Sequence, residues 1–467
     1  MSRRARACAA AVAALTVALA GCGEPPGDDS ADVASAGFST VTFRLWDEAA
    51  ADAYRESFDA FNAINPGLHV EVEVVPRETY ADAAATDLAD GTMADIFWTT
   101  SDAVGAQAHS GDLLGLGTTL GEDHEEWEPA LIELYTRDGE LWAVPQLWEA
   151  AVLFYNTDLA EQSGVDPTAL TWDPAEVEET EEPATETAEL TAEEQGDEGA
   201  EPAAPDTEAP TPEPSTDTLR EAVRTLTRDT TGRSAADPDF DAGAVAEYGY
   251  NTDLTSPAVW LPFLAQLGAA PDDDELALDS PESRAAFAYL ADLPAAPADS
   301  ATLTSRQLFT SGRLALYQST SADMRHLQAH AQVDWDMAPV PAGPDGPVTV
   351  VEGVGAAANA ASQDPEATAE VLRWLASTDG QSALASHSVG VPAATGAQEL
   401  YRQAWSDRGV DVTAALEADA VTSASGPEAR AVLEAVRPVL AALFRGELEM
   451  GAALAAAQSA ADEVLGS

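Results

Sequence analysis

The first part of the folded region alternates between strand-forming and helix-forming segments. Val41–Leu45 alternates polar and apolar side chains, which predicts a β-strand, and Ala49–Ile64 then carries apolar residues at helical spacing. The order repeats with a strand at Val70–Val75, a helix at Tyr80–Asp90 and a strand at Asp95–Trp98. Strands that alternate with helices form parallel sheets covered by helices on both faces, so the sequence predicts an α/β fold.

The polar and aromatic residues that follow these strands are candidates for a binding site. In parallel α/β sheets, ligands bind at the carboxyl ends of the strands. Trp46, Asp47 and Glu48 follow the first predicted strand, and Trp98 to Asp102 end the third. We therefore expect the two groups to meet at one edge of the sheet.

The N-terminus has the features of an export signal. Met1–Arg6 is basic, Ala7–Ala20 is apolar but too short to span a bilayer permanently, and Cys22 follows Leu-Ala-Gly. This pattern resembles a bacterial lipoprotein signal, which implies that residues 1–21 are removed and that Cys22 carries a diacylglyceryl group. Residues 22–37 would form a polar tether, and the protein would lie outside the cytoplasm on the cell membrane. The alternative is an ordinary signal peptide with an incidental cysteine.

Composition excludes several classes of function. All 21 basic residues are arginine, which excludes phosphate-loop lysines, Schiff-base catalysis and pyridoxal phosphate enzymes. With 82 carboxylates and a formal charge of −61, nucleic acid is not an expected partner. Without its signal and lipidated cysteine, the chain has neither a disulfide nor a thiol nucleophile. We interpret the acidity as adaptation to high salt; a codon bias would explain arginine over lysine but not the excess of carboxylates.

One acidic segment interrupts the folded region. Asp173 to Thr216 contains sixteen carboxylates and no arginine, with one leucine and one valine, so residues 174–216 are predicted to be a disordered insert. A helix then begins at Thr218, which with Glu221 has the spacing of a capping box.

Further motifs resemble a known family. Leu141–Asn156 contains Val-Pro, an acidic residue and a hydrophobic run ending in Tyr-Asn, and Thr171-Trp172-Asp173 follows. Downstream lie Leu308–Gly312, Asp334-Trp335-Asp336 before Pro339-Val-Pro341, Glu352-Gly-Val-Gly355, and Gly390-Val-Pro392. In order and spacing these are similar to the extracellular solute-binding proteins of ABC importers, in the sugar-binding group that includes maltodextrin-binding protein.

The resemblance implies a two-lobed, periplasmic-binding-protein-like fold in which crossover strands join two lobes, each a mostly parallel sheet flanked by helices. Lobe 1 would comprise residues 38–148 with 339–390, and lobe 2 residues 149–338 with 391–467. The crossovers would lie near Trp148, Pro339 and Val391, and the ligand would close the lobes around itself.

The same resemblance implies a carbohydrate site. Indole rings cover the apolar faces of a pyranose, and carboxylates accept hydrogen bonds from its hydroxyls, although each tryptophan alone is more often a core residue. Where relatives carry an aromatic residue after the strand that follows Gly312, this chain has Thr320-Ser321-Ala322, which favours a short sugar. The expected ligand-binding residues are Trp46, Asp47, Glu48, Trp98, Thr100, Ser101, Asp102, Trp148, Glu149, Tyr155, Trp260, Ser319, Ser321, Glu352 and Gly353.

We therefore expect a monomeric, non-catalytic binding lipoprotein that delivers a mono- or oligosaccharide to ABC permease subunits and uses no cofactor or metal. Gly-x-Ser-x-Gly and His-Glu-x-x-His are absent from the sequence. His326 and His330 lack a third ligand nearby in sequence, and Asp237-x-Asp239-x-Asp241 departs from a calcium loop at its glycine and twelfth position. Two alternatives remain open: a sensor that presents ligand to a receptor, and an envelope glycan hydrolase that uses two of the carboxylates.

Overall fold

The computed structural model describes residues 39–121, 124–174, 216–251, 256–269, 276–293, 303–344, 346–417, 420–423 and 426–466. The predicted signal, Cys22, the tether and residues 175–215 of the predicted insert lie outside these ranges. No helix in the described part of the chain is both long and apolar enough to cross a membrane.

The strands of the described residues are β1 (Ser39–Leu45), β2 (Leu68–Val74), β3 (Ile96–Thr100), β4 (Thr136–Arg137), β5 (Glu140–Leu141), β6 (Ala143–Asn156), β7 (Arg228–Asp229), β8 (Val245–Tyr250), β9 (Leu314–Thr320), β10 (Trp335–Ala338), β11 (Thr349–Ala358), β12 (Val391–Pro392) and β13 (Ala420–Thr422). The helices of the N-terminal half are α1 (Glu48–Ile64), α2 (Arg77–Asp90), α3 (Ser101–Ser110), α4 (Gly117–Leu120), α5 (Pro129–Tyr135), α6 (Thr157–Ser163) and α7 (Thr218–Leu226). Those of the C-terminal half are α8 (Pro257–Ala265), α9 (Pro281–Asp292), α10 (Ser305–Thr310), α11 (Met324–His330), α12 (Pro365–Ala376), α13 (Thr378–Ser386), α14 (Thr395–Ser406), α15 (Thr413–Leu416), α16 (Ala429–Phe444) and α17 (Met450–Leu465).

The α/β prediction is confirmed, and each strand and helix expected between residues 41 and 98 is present. The order β2-β1-β3-β11-β6-β9-β8-β7 forms a continuous sheet. β1, β2 and β3 are parallel, as are β8 and β9, whereas β6 and β11 are antiparallel to each other. β11 also pairs in parallel with the short strand β13, so the sheet is mixed, with the two long central strands antiparallel to each other.

β6 joins the two halves of this sheet. Its first half pairs with β11 and β12, and its second half pairs with β9 and β10. Around the first half, Phe43, Tyr54 and Phe58 belong to one hydrophobic core. Trp172, Trp260 and other residues of α7, α8, α9, α16 and α17 form a second core.

The predicted lobe boundaries stay predictions. After residue 390, however, several residues pack on the first core, on the side of the predicted first lobe. Val391, Tyr401, Trp405 and Ala415 belong to the first core, although the prediction assigns residues 391–467 to the second lobe. β12 explains the difference, because it pairs with Leu147 and Trp148 in the first half of β6 and so keeps α14 on that side.

The two ends of the predicted insert lie together on the second core. Thr171 Oγ1 donates to the Thr216 carbonyl at 2.6 Å, and the Thr171 backbone N–H donates to Thr218 Oγ1 at 2.8 Å. The helix after the insert begins at Thr218 as expected, but its cap is Asp217, which accepts from the Arg220 N–H. The predicted Thr218 cap is wrong, because the Thr218 hydroxyl accepts a hydrogen bond from the Thr171 N–H instead.

Candidate functional site

A cleft opens where the first three strands end, above the middle of β6 and β11. Its cavity has a volume of about 100 Å³, below the range of about 300–1,000 Å³ usual for ligand pockets. The space is small because side chains from both sides meet across it. The lining residues are Trp46, Asp47, Arg77, Trp98, Leu147, Trp148, Glu149, Ser321, Ala322, Arg325, Glu352, Gly353, Val354, Ser388, Val389, Gly390, Tyr401 and Trp405.

Two indoles at the ends of β1 and β3 form the first wall. The rings of Trp46 and Trp98 pack edge to face with centroids 4.7 Å apart, and Tyr80 packs against Trp46 at 4.9 Å. Trp98 is buried, and its Nε1 donates to the Tyr54 hydroxyl at 3.1 Å. Trp46 is only half-buried, so its ring is the more accessible of the two.

Asp47 links the two sides of the cleft. Its carboxylate caps α1 by accepting from the N–H groups of Ala49 and Ala50, and its other oxygen lies 2.5 Å from the Arg325 guanidinium. Burial would raise the pKa of the Asp47 carboxyl, but Arg325 and the two N–H groups outweigh burial and lower it. Since Arg325 lies on α11, this ion pair holds α11 against the start of α1.

Two glutamates face each other on the cleft floor. Glu149 on β6 is directly opposite Glu352 on β11 in the antiparallel pairing. Residues in that relation have Cβ atoms about 4.5–5.5 Å apart. Both side chains line the cleft, and the Thr320 hydroxyl donates to the Glu149 carboxylate.

The environment of the pair favours the protonated forms. Burial, the Glu149 charge and the Asp102 charge together raise the pKa of Glu352 to about 8, and the positive charge of Arg77 offsets them only in part. Burial also raises the pKa of Glu149, against the opposing effects of the Thr320 hydrogen bond and Arg77. At neutral pH the pair therefore holds a proton more tightly than a solvent-exposed glutamate would.

A buried tyrosine lies behind this floor. Tyr135 on α5 has no exposed surface, and its hydroxyl has no hydrogen-bond partner among the described residues. A Cβ atom at Gly353 would lie 2.8 Å from this hydroxyl, so the glycine is what lets the tyrosine pack against β11. Burial raises the pKa of Tyr135 well above its usual value, and Asp102 and Glu352 add to the effect.

One hydroxyl and three further aromatic residues complete the cleft lining. Ser321 is buried at the end of β9, and its Oγ accepts from the Ala150 N–H at 3.2 Å. Trp148 Nε1 donates to the Pro392 carbonyl at 3.3 Å, while Tyr401 and Trp405 approach from α14. The Arg408 guanidinium lies 5.0 Å from the Trp405 ring centroid.

A second cavity of about 490 Å³ adjoins the cleft at Trp46 and Trp98. Thr100 and Asp102 lie at its rim, where the Arg430 guanidinium of α16 donates to both, at 2.9 Å and 3.1 Å. Ser101 is buried, and its Oγ accepts from the Gly353 N–H at 3.4 Å. None of these three predicted residues is among those that line the cleft, although Ser101 contacts the backbone of Gly353, which does line it.

Four predicted residues lie elsewhere. Trp260 is in the second core with 1% of its surface exposed, and Tyr155 packs against that core near the far end of β6. Ser319 donates to Asp323 at 2.9 Å, and Glu48 is exposed in the first turn of α1. None of the four is among the residues that line the cleft.

Sequence reasoning missed Arg77, Arg325, Tyr401 and Trp405. Arg77 follows β2 directly and could have been found by the rule that selected Trp46 and Trp98. The other three come from helices and are brought to the cleft by tertiary packing, for which the sequence carries no local signal.

Within the described ranges, no group of three or more His, Cys, Asp or Glu residues could hold a metal ion. The rings of His326 and His330 lie 4.5 Å apart. Asp237 and Asp241 accept hydrogen bonds from the N–H groups of Asp239 and Gly243, in local turns.

The sequence and the fold are similar to those of known binding proteins. Residues 56–414 match the family model described as bacterial extracellular solute-binding protein. The crystal structure of UspC from Mycobacterium tuberculosis is similar with a TM-score of 0.71 and 34% identity, covering 91% of this chain and all of that one. Proteins of Brucella abortus and Brucella suis, named as unconfirmed binding proteins, are 28% identical over 149 residues, or 31% of this chain and 35% of their own length.

Two more distant structures share the fold. An ABC substrate-binding protein from Listeria monocytogenes in complex with cycloalternan has a TM-score of 0.70 and 16% identity, covering 92% of this chain and 99% of that one. The GacH receptor of Streptomyces glaucescens, solved unliganded and with acarbose, has a TM-score of 0.67 and 20% identity, covering 92% and 98%. Such two-lobed structures support the architecture that the sequence implies.

Proposed function

The chain belongs to the bacterial extracellular solute-binding protein family, and from this membership and its cleft we propose that it binds a short carbohydrate for delivery to an ABC importer. Proteins of this family are binding proteins that act outside the cytoplasm. The observation that carries the proposal is the cleft itself, where Trp46, Trp98 and Trp148 line the same cavity as Glu149 and Glu352, which lie opposite each other on β6 and β11.

The chemistry of the cleft suits a sugar. Indole rings pack on the C–H faces of a pyranose, and carboxyl groups bind its hydroxyls. The small volume and the Asp47–Arg325 ion pair indicate that the walls must part to admit the ligand, as in hinge closure. Cycloalternan and acarbose, bound by the Listeria and Streptomyces proteins, are carbohydrates or carbohydrate-like compounds, which supports the same class here.

Calorimetric titration with mono- and disaccharides in molar sodium chloride tests this function. We expect at least one short sugar to bind with a stoichiometry of one. If none of the sugars bound while peptides or metal chelates did, the carbohydrate assignment would be wrong.

The location at the membrane is a separate proposal. We infer that Cys22 is lipidated and that the tether of residues 22–37 holds the binding region at the cell surface. Expression of the full chain with labelled fatty acid should give a labelled membrane protein, and Cys22→Ala should abolish both the label and the membrane fraction. Label retained in that variant would refute the anchor.

Two rival functions use the same cleft. An envelope hydrolase is favoured by one observation, the facing carboxyl groups with raised pKa values, because glycosidases use paired carboxyl groups. Chromogenic glycosides distinguish it, since a binding protein returns its ligand unchanged. A sensor would bind the same ligand, and a neighbouring permease gene would separate transport from sensing.

A further inference from the structure

The second cavity is larger than the cleft that it adjoins. Its volume of about 490 Å³ lies within the range of about 300–1,000 Å³ usual for ligand pockets. It lies between α2 and α3 and meets the cleft at Trp46 and Trp98, which line both spaces. An engineered apolar cavity of about 150 Å³ already binds benzene. The second cavity therefore has room for a sizeable chemical group attached to a ligand in the cleft.

The walls of the second cavity are mainly apolar. Leu88 and the half-buried ring of Trp46 supply large apolar surfaces. The rest of the helical walls consists mostly of small side chains, which leave the gap between the helices: Ala81, Ala84, Ala85 and Ala89 on α2, and Ala103 and Ala106 on α3. Contact with an apolar group would remove this surface from water, which is favourable.

Polar side chains of the lining are already engaged with one another. Thr99 Oγ1 donates to Gln107 Oε1 at 2.7 Å, and Ser110 Oγ donates to the Asp112 carboxylate at 2.5 Å. A sugar ring needs partners for its hydroxyls and would compete with these hydrogen bonds, whereas an apolar group leaves them intact. The lining thus favours an apolar occupant over a further sugar unit.

The charged residues of the lining disfavour a charged occupant. Arg430 donates to Thr100 and Asp102, so its guanidinium offsets the Asp102 charge, and Asp112 adds a second carboxylate. An anion would meet two carboxylates and one guanidinium, and a cation would lose its hydration against alanine side chains. An uncharged group avoids both costs.

One buried donor on this lining lacks an acceptor. The Nε–H of Arg430 has no hydrogen-bond partner among the described residues. A buried polar atom without a partner is costly, so this atom is an independent sign of a missing group. A single oxygen on an otherwise apolar group, such as the glycosidic oxygen that joins a sugar to its aglycone, is the kind of acceptor that would satisfy it.

We propose that the ligand is a glycoside with an uncharged apolar aglycone, either aryl or short alkyl, and that this aglycone occupies the second cavity while the sugar lies in the cleft. The inference rests on the proposed carbohydrate function and specifies its substrate class. Trp46 and Trp98 would contact both parts of such a ligand, because they line both cavities.

Matched glycosides test the proposal by calorimetry at pH 7 in molar sodium chloride. Methyl, butyl and phenyl glycosides of glucose, galactose and mannose are compared in both anomeric forms. Each buried methylene strengthens binding by up to about fourfold, so the butyl and phenyl glycosides of the preferred sugar should bind at least about tenfold more tightly than the methyl glycoside. Equal or weaker binding would overturn the inference and leave the carbohydrate function standing.

A charged aglycone tests whether the occupant is neutral. The 4-carboxyphenyl glycoside of the same sugar should bind no more tightly than the methyl glycoside, because its carboxylate would face Asp102 and Asp112. Binding as tight as that of the phenyl glycoside, or tighter, would show that Arg430 recognises an anion and would refute the uncharged aglycone.

Variants that fill the second cavity locate the aglycone. Ala103→Leu and Ala85→Leu enlarge side chains on its two helical walls. Each should reduce the preference for phenyl over methyl to about threefold or less, with affinity for the methyl glycoside little changed. Ala60→Leu is the matched control, because Ala60 is an exposed alanine of α1 outside the lining. Full phenyl preference in both filled variants would place the aglycone elsewhere and refute the assignment.

A sugar-free probe separates failure of this inference from failure of the proposed function. Benzyl alcohol should receive saturation transfer in nuclear magnetic resonance from the wild type and from Ala60→Leu, but not from Ala103→Leu. That result with no glycoside bound would keep the apolar site and discard the carbohydrate. No saturation transfer, with no glycoside bound, would discard both.

Discussion

Trp148 and Glu149, near the middle of β6, line the cleft, whereas Tyr155, six residues beyond Glu149 on the same strand, packs outside it. At about 3.3 Å per residue the two positions are about 20 Å apart. β11 and β12 pair with the first position, while β9 and β10 pair with the second. The neighbouring strands thus separate the part of β6 that lines the cleft from the part that packs against the second core.

Truncating the aromatic residue at each position should give the largest contrast. Trp148→Ala removes a ring that is 6% exposed and should cost about 3–5 kcal/mol of stability together with ligand binding. Tyr155→Ala removes a partly exposed ring and should cost less, with affinity unchanged. Urea unfolding and calorimetry of both variants check this, and a greater loss of affinity in Tyr155→Ala would reverse the comparison.

The cleft end of β6, where Glu352 of β11 lies opposite Glu149, should also differ from the Tyr155 end in how it affects the pH dependence of stability. Because folding raises the pKa of Glu352 from about 4.5 to about 8, the folded state holds its proton where the unfolded chain is ionised. Wild-type stability should therefore fall as pH rises through that window, and Glu352→Gln should remove the fall. The charged groups that act on Glu352 are Glu149 on β6, Asp102 on α3 and Arg77 on α2, and Glu352 in turn raises the pKa of Tyr135 on α5.

We expect Glu352→Gln to be more stable than the wild type by about 2–4 kcal/mol at pH 8 and by little at pH 4. The pKa of Tyr155 is raised above its ordinary value by burial and by Asp336 and Asp166, so Tyr155→Phe should show no such slope between pH 4 and 8. Chemical denaturation at several pH values measures both. A pH-independent difference for Glu352→Gln would mean that the glutamate is hydrated in the folded protein.

Glu149→Gln tests the cleft end of β6 through affinity. The carboxylate should contribute a charged hydrogen bond to the ligand, so its loss should weaken binding about 10- to 150-fold. Stability should not fall, because glutamine keeps an acceptor oxygen for the Thr320 hydroxyl and the Ala322 N–H that Glu149 contacts. Unchanged affinity with a clear loss of stability would make Glu149 a structural residue of the crossover.

The smallest effect should come from the ion pair above the floor. Asp47 and Arg325 are both partly exposed, and such pairs contribute about 1 kcal/mol or less. Arg325→Gln should therefore shift the ligand-free protein modestly toward an open form, seen as a larger radius of gyration by small-angle scattering. Tyr155→Phe is the control, and an unchanged radius for Arg325→Gln would show that the pair does not hold the walls together.

The sequence was sufficient for the parts of the site that follow directly from strand ends. Trp46, Asp47 and Trp98 were found because periodicity locates β1 and β3, and chain topology brings their ends together. Glu149 and Glu352 came from the family resemblance, and their facing register could not be foreseen because it depends on the pairing of strands about 200 residues apart.

Other parts could not be inferred for physical reasons. Trp260 lies within α8, in a run of residues that is apolar on every side, so no periodicity indicates which way its ring points. Arg325 reaches Asp47 across 278 positions of the chain, and Trp405 reaches the cleft because β12 pairs with β6. These contacts are products of tertiary packing that local patterns do not encode.

The hydrogen bonds that join Thr171 to Thr216 and Thr218 have a practical consequence for protein engineering. They hold the two ends of the predicted insert together. Asp217 is fixed by Arg220 at 3.0 Å and by the Tyr289 hydroxyl at 2.6 Å. Any protein domain whose own termini lie close together could replace residues 175–215 without breaking these hydrogen bonds. A fluorescent protein inserted there would adjoin α7 and the second core, and its emission on addition of sugar would test whether binding in the cleft is transmitted to this surface.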